Sequence, residues 1–227
     1  MSSKREQSIA DRRERILAAA REIIADKGYD GLTTRGLAEA AGVTVPTLYN
    51  LVGDKAAIIS AMANQSVEQL WDRLKFDTRA TPLEMADAII DEAYDHIHED
   101  PAFSRGTFIA LRNLESGYSF NPDRDSPGAH AARRSVDMAK VACRAGQREG
   151  WLRGNLSARE LAIQMFATYR ASLDDWLDGA IDDGEMRRRQ RCGFYMILAA
   201  DASEEFRNKL MTRIAALAAD QDEQEAA

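Results

Sequence analysis

Two cysteines and five prolines in 227 residues leave little for a covalent or turn-rich framework. Cys143 and Cys192 form no CxxC pair and stand at no metal-ligand spacing from a histidine, so a disulfide scaffold and a zinc site are not expected. Long apolar runs are also missing. The stretch "FYMILAA" from Phe194 falls far short of the ~20 residues a membrane span needs, and "MSSKREQSIADRRER" has no apolar centre to serve as a signal peptide. Alternating β-branched runs are absent too. The expectation is a cytoplasmic protein that does not enter a membrane.

What is abundant is helix-forming: Ala, Leu, Arg and Glu. Apolar residues make up 45% and charged residues 30%, an ordinary globular balance, and the length allows one or two domains. An all-α fold follows. The net charge of -7 is unevenly spread. Through Lys55 there are nine Lys/Arg against eight Asp/Glu; beyond it, 21 against 29. An acidic body repels phosphate and leaves the less acidic amino-terminal segment as the end suited to nucleic acid.

Apolar spacing predicts a first helix from about Ser8 to a stop at Gly28, with Ile16, Leu17, Ala20, Ile23 and Ile24 on one stripe. Two short helices follow, from Thr34 to about Ala41 and from Val45 to Leu51, the second capped by Thr44. Gly53-Asp54 opens a long linking helix reaching about Phe76. Thr81-Pro82-Leu83-Glu84 and Ser157-Ala158-Arg159-Glu160 read as capping boxes, and Asp100-Pro101 and Ser126-Pro127 as further helix starts. The stretch "ESGYSFNPDRDSPG" reads as a loop, the helix opened at Ser157 as running to about Ile181, and another as beginning near Met186. A tail at 221–227 is expected to be disordered.

The stretch "TTRGLAEAAGVTVPTLYNLVGDK" is the informative one. Two helices this short, joined at Gly42, form a helix-turn-helix. The second helix can be brief because only its first turn and a half reaches base edges in a major groove. Leu37, Ala41, Val43 and Leu48 are the expected buried side. Val45, Pro46, Thr47, Tyr49 and Asn50 are expected to face outward. Val45, Pro46 and the tyrosine ring suit thymine methyls; the hydroxyls and the amide suit phosphates or base edges. Arg35 could reach a guanine or a phosphate. Lys55, at the start of the linking helix, suits a phosphate.

"LTTRGLAEAAGVTVPTLYNLVGDKAAIISAM" resembles the DNA-binding domain of the TetR family of repressors, and "TTR…LA…GV…PTLY…V…K" is most like the tetracycline-repressor branch. The resemblance implies a three-helix head over 1–55, a helical effector-binding and dimerisation domain over 56–220, and a homodimer on double-stranded operator DNA. A small apolar or amphipathic effector would release it, and no cofactor is implied. By motif position, Thr34, Thr47, Tyr49 and Lys55 match phosphate contacts, and Arg35, Val45 and Pro46 match base contacts. Trp71 falls where tetracycline repressors carry a drug-contacting histidine, which argues against tetracycline as the effector.

In the body, Trp71, Tyr94, Phe108, Arg112, Met138, Phe166 and Tyr169 are the candidate effector contacts, with core packing as the competing reading. Leu173, Trp176, Leu177, Phe194, Ile197 and Leu198 exceed one core stripe. They suggest a subunit interface, against the alternative of a doubly covered internal helix. "RRRQR" from Arg187 is expected to pair with the acidic "DDWLDGAIDDGE" before it. Two rival functions remain: an all-α enzyme, for which the sequence offers no nucleophile–base or metal set, and a DNA-binding protein that needs no effector.

Overall fold

The computed structural model describes residues 4–74, 80–114 and 126–225, with side chains of 220–225 and of Arg5 excluded. Among the described residues the fold is all-α, with ten helices: α1 Lys4–Gly31, α2 Thr34–Ala40, α3 Val45–Leu51, α4 Lys55–Arg73, α5 Pro82–Glu99, α6 Pro101–Leu114, α7 Ala129–Arg148, α8 Ala158–Leu177, α9 Asp183–Asp201 and α10 Glu204–Glu225. Two compact units emerge. One comprises 1–69 and 96–132, the other 70–95 and 133–227. The expected end of the linking helix near Phe76 and most of the "ESGYSFNPDRDSPG" loop lie outside the described residues.

The first unit is organised on α1, which packs against α2, α3 and α6. Its core joins Ile16, Ala20 and Ile24 to Leu37, Leu48, Ile58, Ile59, Phe103 and Leu111. α1 and α6 approach closely: a Cβ on Gly106 would lie 2.5 Å from Ile24 Cγ2, so only glycine fits there. The expected stop at Gly28 falls on a break in α1, where the backbone leaves helical geometry. Gly28 takes φ 67°, which costs a glycine little, and helix resumes to Gly31. At the other end α1 starts at Lys4, four residues before Ser8.

The second unit is built on α8, α9 and α10, with α9 packed against both neighbours. The Ser157 capping box forms as the sequence predicts, the Ser157 N–H donating to Glu160 at 2.9 Å and the Glu160 N–H to Ser157 at 3.1 Å. α8 ends at Leu177, earlier than Ile181, and Gly179 follows at φ 73°. α9 starts three residues before Met186 because Asp182 caps it, accepting from the Glu185 N–H at 2.8 Å. α10 continues through Glu225, so the backbone of 221–225 is helical where a disordered tail was expected.

One break carries no glycine or proline signal: the chain leaves the helix at Ala202. Backbone pairing with the segment after α7 imposes it. The Arg153 N–H donates to Asp201 O at 2.7 Å and the Ser203 N–H to Trp151 O at 2.8 Å, around a bridge between Leu152 and Ala202. The Asp201 carboxylate is 1% exposed and accepts the N–H groups of Gly154, Asn155 and Leu156 at 2.9, 2.9 and 3.4 Å. A buried charge survives only with such partners.

Candidate nucleic-acid interface

Local chemistry fixes the helix-turn-helix. Thr33 caps α2, its hydroxyl accepting the Gly36 N–H at 3.1 Å. The turn closes with the Val43 N–H on Ala38 O at 2.9 Å and Gly42 at φ 65°. Thr44 caps α3, accepting the Thr47 N–H at 3.3 Å, and its hydroxyl lies 2.8 Å from that of Thr47. Pro46 occupies the first turn of α3, where a missing N–H costs nothing. Leu37 and Leu48 are fully buried and Ala41 nearly so.

The face left to solvent carries Arg35, Pro46, Tyr49 and Asn50, with Thr34, Thr47 and Lys55 half-covered. Tyr49 is 49% exposed, unusual for a large ring with core within reach. Val45 departs from expectation: it is half-buried and packs on the core, because it lies three residues before the buried Leu48 and so on the same face of α3. Lys55 is held, too. Its ammonium stands over the Tyr29 ring, 3.6 Å from the centroid. Burial, and then Asp30 and Asp54, raise the Tyr29 phenol above its ordinary pKa, so the ring stays neutral under the cation. Asp54 caps α4, accepting the Ala57 N–H at 2.8 Å, and so takes up part of the helix end expected to hold a phosphate.

Residues 16–62 match the family model described as "Bacterial regulatory proteins, tetR family". Over these residues the head is similar to the tetR family. The class D tetracycline repressor of Escherichia coli is 47% identical over 51 residues, which is 22% of this chain and 23% of that one. The HTH-type transcriptional repressor Rv1474c of Mycobacterium tuberculosis is 32% identical over 118 residues, 44% of this chain and 59% of that one. The chain thus matches less than two thirds of the length of either relative. Among solved structures, SmeT, the repressor of the Stenotrophomonas maltophilia multidrug efflux pump SmeDEF, superposes with a TM-score of 0.63 at 21% identity, covering 85% of this chain and 91% of that one. At that identity the likeness is one of fold, and it extends well beyond the tetR-family head.

In the second unit a small cleft of about 50 Å³ is lined by Leu70, Ile89, Ala93, Ser135, Met138, Ala139, Phe166, Tyr169 and Phe194. Three of the seven candidate effector contacts meet there: Met138, Phe166 and Tyr169. Phe166 and Tyr169 stack at 6.5 Å. Burial pushes the Tyr169 phenol up to about 12, with Arg170 pulling the other way, so it remains a neutral donor. Trp71 lies instead under the Arg134 guanidinium at 3.9 Å, and Tyr94 under Arg187 at 4.4 Å. Phe108 and Arg112 belong to α6, in the first unit. Sequence reasoning missed Leu70, Ile89, Ala93, Ser135, Ala139 and Phe194 as lining residues. Helical spacing shows that such residues are buried, not which of them border a void.

Of the six residues expected at an interface, Leu173, Trp176, Leu177, Phe194 and Leu198 are buried inside the chain's own second unit, and Ile197 is half-buried. These apolar side chains are covered within the chain, α9 packing on both α8 and α10, while Met196 and Ala200 leave another face of α9 open. The basic run is divided. Arg188 and Arg189 pair with Glu185, and Arg189 with Asp175, as expected. Arg187 reaches Asp91, while Arg191 pairs with Asp91 at 2.6 Å and Asp87 at 3.5 Å, both on α5. Cys143 is buried against Met165, and burial with the Asp201 charge lifts its thiol to about 12. A thiol that stays protonated is no nucleophile.

Proposed function

We propose that the chain is a ligand-responsive transcriptional repressor that binds a near-palindromic operator as a homodimer and is released by a small apolar or amphipathic molecule. The observation that carries this reading is the solvent-facing tip of α3, with Pro46, Tyr49 and Asn50 exposed beside Arg35 on a rigidly capped corner. Arg35, Val45 and Pro46 take base contacts. Thr34, Thr47, Tyr49 and Lys55 take phosphates, Tyr49 also touching bases, and the Asn50 amide takes a phosphate or a base edge. Two heads occupy half-sites about one helical turn apart, ~34–36 Å. Effector binding need only favour a spacing of heads that misfits the grooves; a coupling of ~1–3 kcal/mol changes affinity ~5–150-fold.

The effector enters the cleft between α5, α7, α8 and α9. Among the described residues its lining bears no formal charge, and Ser135 and Tyr169 supply the polar groups, which suits a neutral molecule with a hydrogen-bonding end. Subunits pair through the outer faces of α8 and α9, where Ala167, Ala171, Met196 and Ala200 are exposed. The two helices already approach closely there, a Cβ on Gly193 falling 2.2 Å from Thr168 Cγ2. Selecting bound duplexes from a random pool, then screening neutral apolar compounds for release, tests the whole reading. Recovery of no preferred sequence defeats it; a preferred sequence that no compound releases leaves an effector-independent DNA-binding protein.

A further inference from the structure

The first residues of α1, from Lys4 to Arg15, lie outside the matched head. The family match begins at residue 16, which is also where burial begins: Ile16 is fully buried. Before it, among the described side chains from Lys4 to Arg15, only Ser8 is even half-covered. Yet the helix is continuous from Lys4 to the kink at Gly28. About three turns of helix therefore project beyond the core, roughly 18 Å at 1.5 Å per residue.

Charge and exposure limit what such a projection can meet. Lys4, Arg5, Arg12, Arg13 and Arg15 outnumber Glu6, Asp11 and Glu14, a cationic excess in a chain whose net charge is -7. Arg12, Arg13 and Arg15 are exposed and form no ion pair among the described residues, while Asp11 is engaged by Gln7 at 3.0 Å. The one large apolar side chain, Ile9, is 44% exposed. A single apolar residue in three turns cannot make a helix–helix seam, which needs one on every turn. A polyanion is the partner that fits, and the adjacent head, proposed above as a duplex binder, brings one within reach.

We infer that the projecting start of α1 is a second DNA-binding element, in which Arg12, Arg13 and Arg15 contact backbone phosphates outside the bases read by α3. This rests on the reading of the head as a DNA-binding corner. It adds affinity without sequence preference, since phosphate contacts position a protein and do not specify bases.

The test uses the full chain and a selected duplex extended on both sides. The triple variant Arg12→Ala, Arg13→Ala, Arg15→Ala is expected to bind about tenfold more weakly near physiological salt. Its log–log salt slope should fall by about 2–3, at ~0.9 for each phosphate no longer neutralised. Base preference and thermal midpoint stay unchanged, and the corresponding triple Arg→Lys variant recovers the slope. Tyr49→Ala is measured alongside. If the triple variant keeps the original affinity and slope while Tyr49→Ala weakens binding, the projection idea is overturned and the head survives. If neither variant alters binding, both are overturned. A weaker complex with an unchanged slope also overturns it, because the arginines were then not neutralising phosphate.

Discussion

The Lys55 ammonium rests 3.6 Å from the centre of the Tyr29 ring, so the cation at the start of α4 is positioned by the residue just past the α1 kink. An exposed cation–π contact contributes about 0.5–1 kcal/mol. Its larger effect is to aim the ammonium before any phosphate arrives. Lys55→Ala should reduce the salt slope of operator binding by about 0.9, one phosphate contact. Tyr29→Leu, which keeps the charge and frees it, should weaken binding less and leave the slope nearly intact. Equal slopes for Lys55→Ala and the parent chain, in anisotropy titrations from low to high salt, would remove Lys55 from the interface.

Tyr49 stands half in solvent on α3. Tyr49→Ala should leave the denaturation midpoint unchanged, a surface substitution being worth within about 0.5 kcal/mol. Operator affinity should fall about 10–100-fold, matching ~1–3 kcal/mol for a groove contact. Loss of stability comparable to the loss of binding would show the ring to be a folding residue.

Thr44 tests the cap independently of DNA. Thr44→Ala removes the acceptor of the Thr47 N–H and the partner of its hydroxyl. The expected cost is about 1 kcal/mol. Thr44→Ser should restore most of it in urea titrations, since serine supplies the same oxygen.

Most of the head could be read from sequence because its determinants are local. Thr44, Pro46 and Gly42 act on backbone groups within four residues, and the predicted bounds of α3, Val45 to Leu51, are those observed. Asp201 shows what could not be read. Its three N–H partners lie about 46 residues away in the chain, and nothing in "AADASEE" announces a buried carboxylate. The interface residues were ambiguous for a related reason. Apolar excess on α9 says that two faces are covered, but not whether the cover comes from α10 or from a second subunit. Of the cleft, the aromatic stack was visible as composition, and the void beside it was not.

Glu185 gives a pH signature. Hydrogen bonding to Arg188, opposed by burial and aided by Arg189, lowers its carboxyl from 4.5 to about 2. A folded-state pKa below the unfolded value adds stability that is complete above about 4.5 and disappears as pH falls toward about 2. Glu185→Gln should therefore lower stability at neutral pH and flatten its decline across that acid window. Parallel curves for variant and parent would mean the pairing contributes nothing to folding.

Filling the cleft separates sensing from DNA binding. Met138→Trp adds bulk beside Phe166 and Tyr169. It should abolish release by any compound that acts on the parent chain and leave compound-free operator affinity within about threefold, or ~0.6 kcal/mol. A retained response, followed by titrating each compound into the preformed complex, would place the effector elsewhere.

The two thiols are chemically unequal. Cys143 is sealed in the core and held protonated, while Cys192 is partly open on α9. A maleimide dye added to the untouched natural sequence at neutral pH will therefore attach at one position, with no cysteine-free background to engineer. Since that position lies on a helix assigned to subunit pairing, the emission of a labelled sample on dilution reports directly on whether, and at what concentration, the chains part.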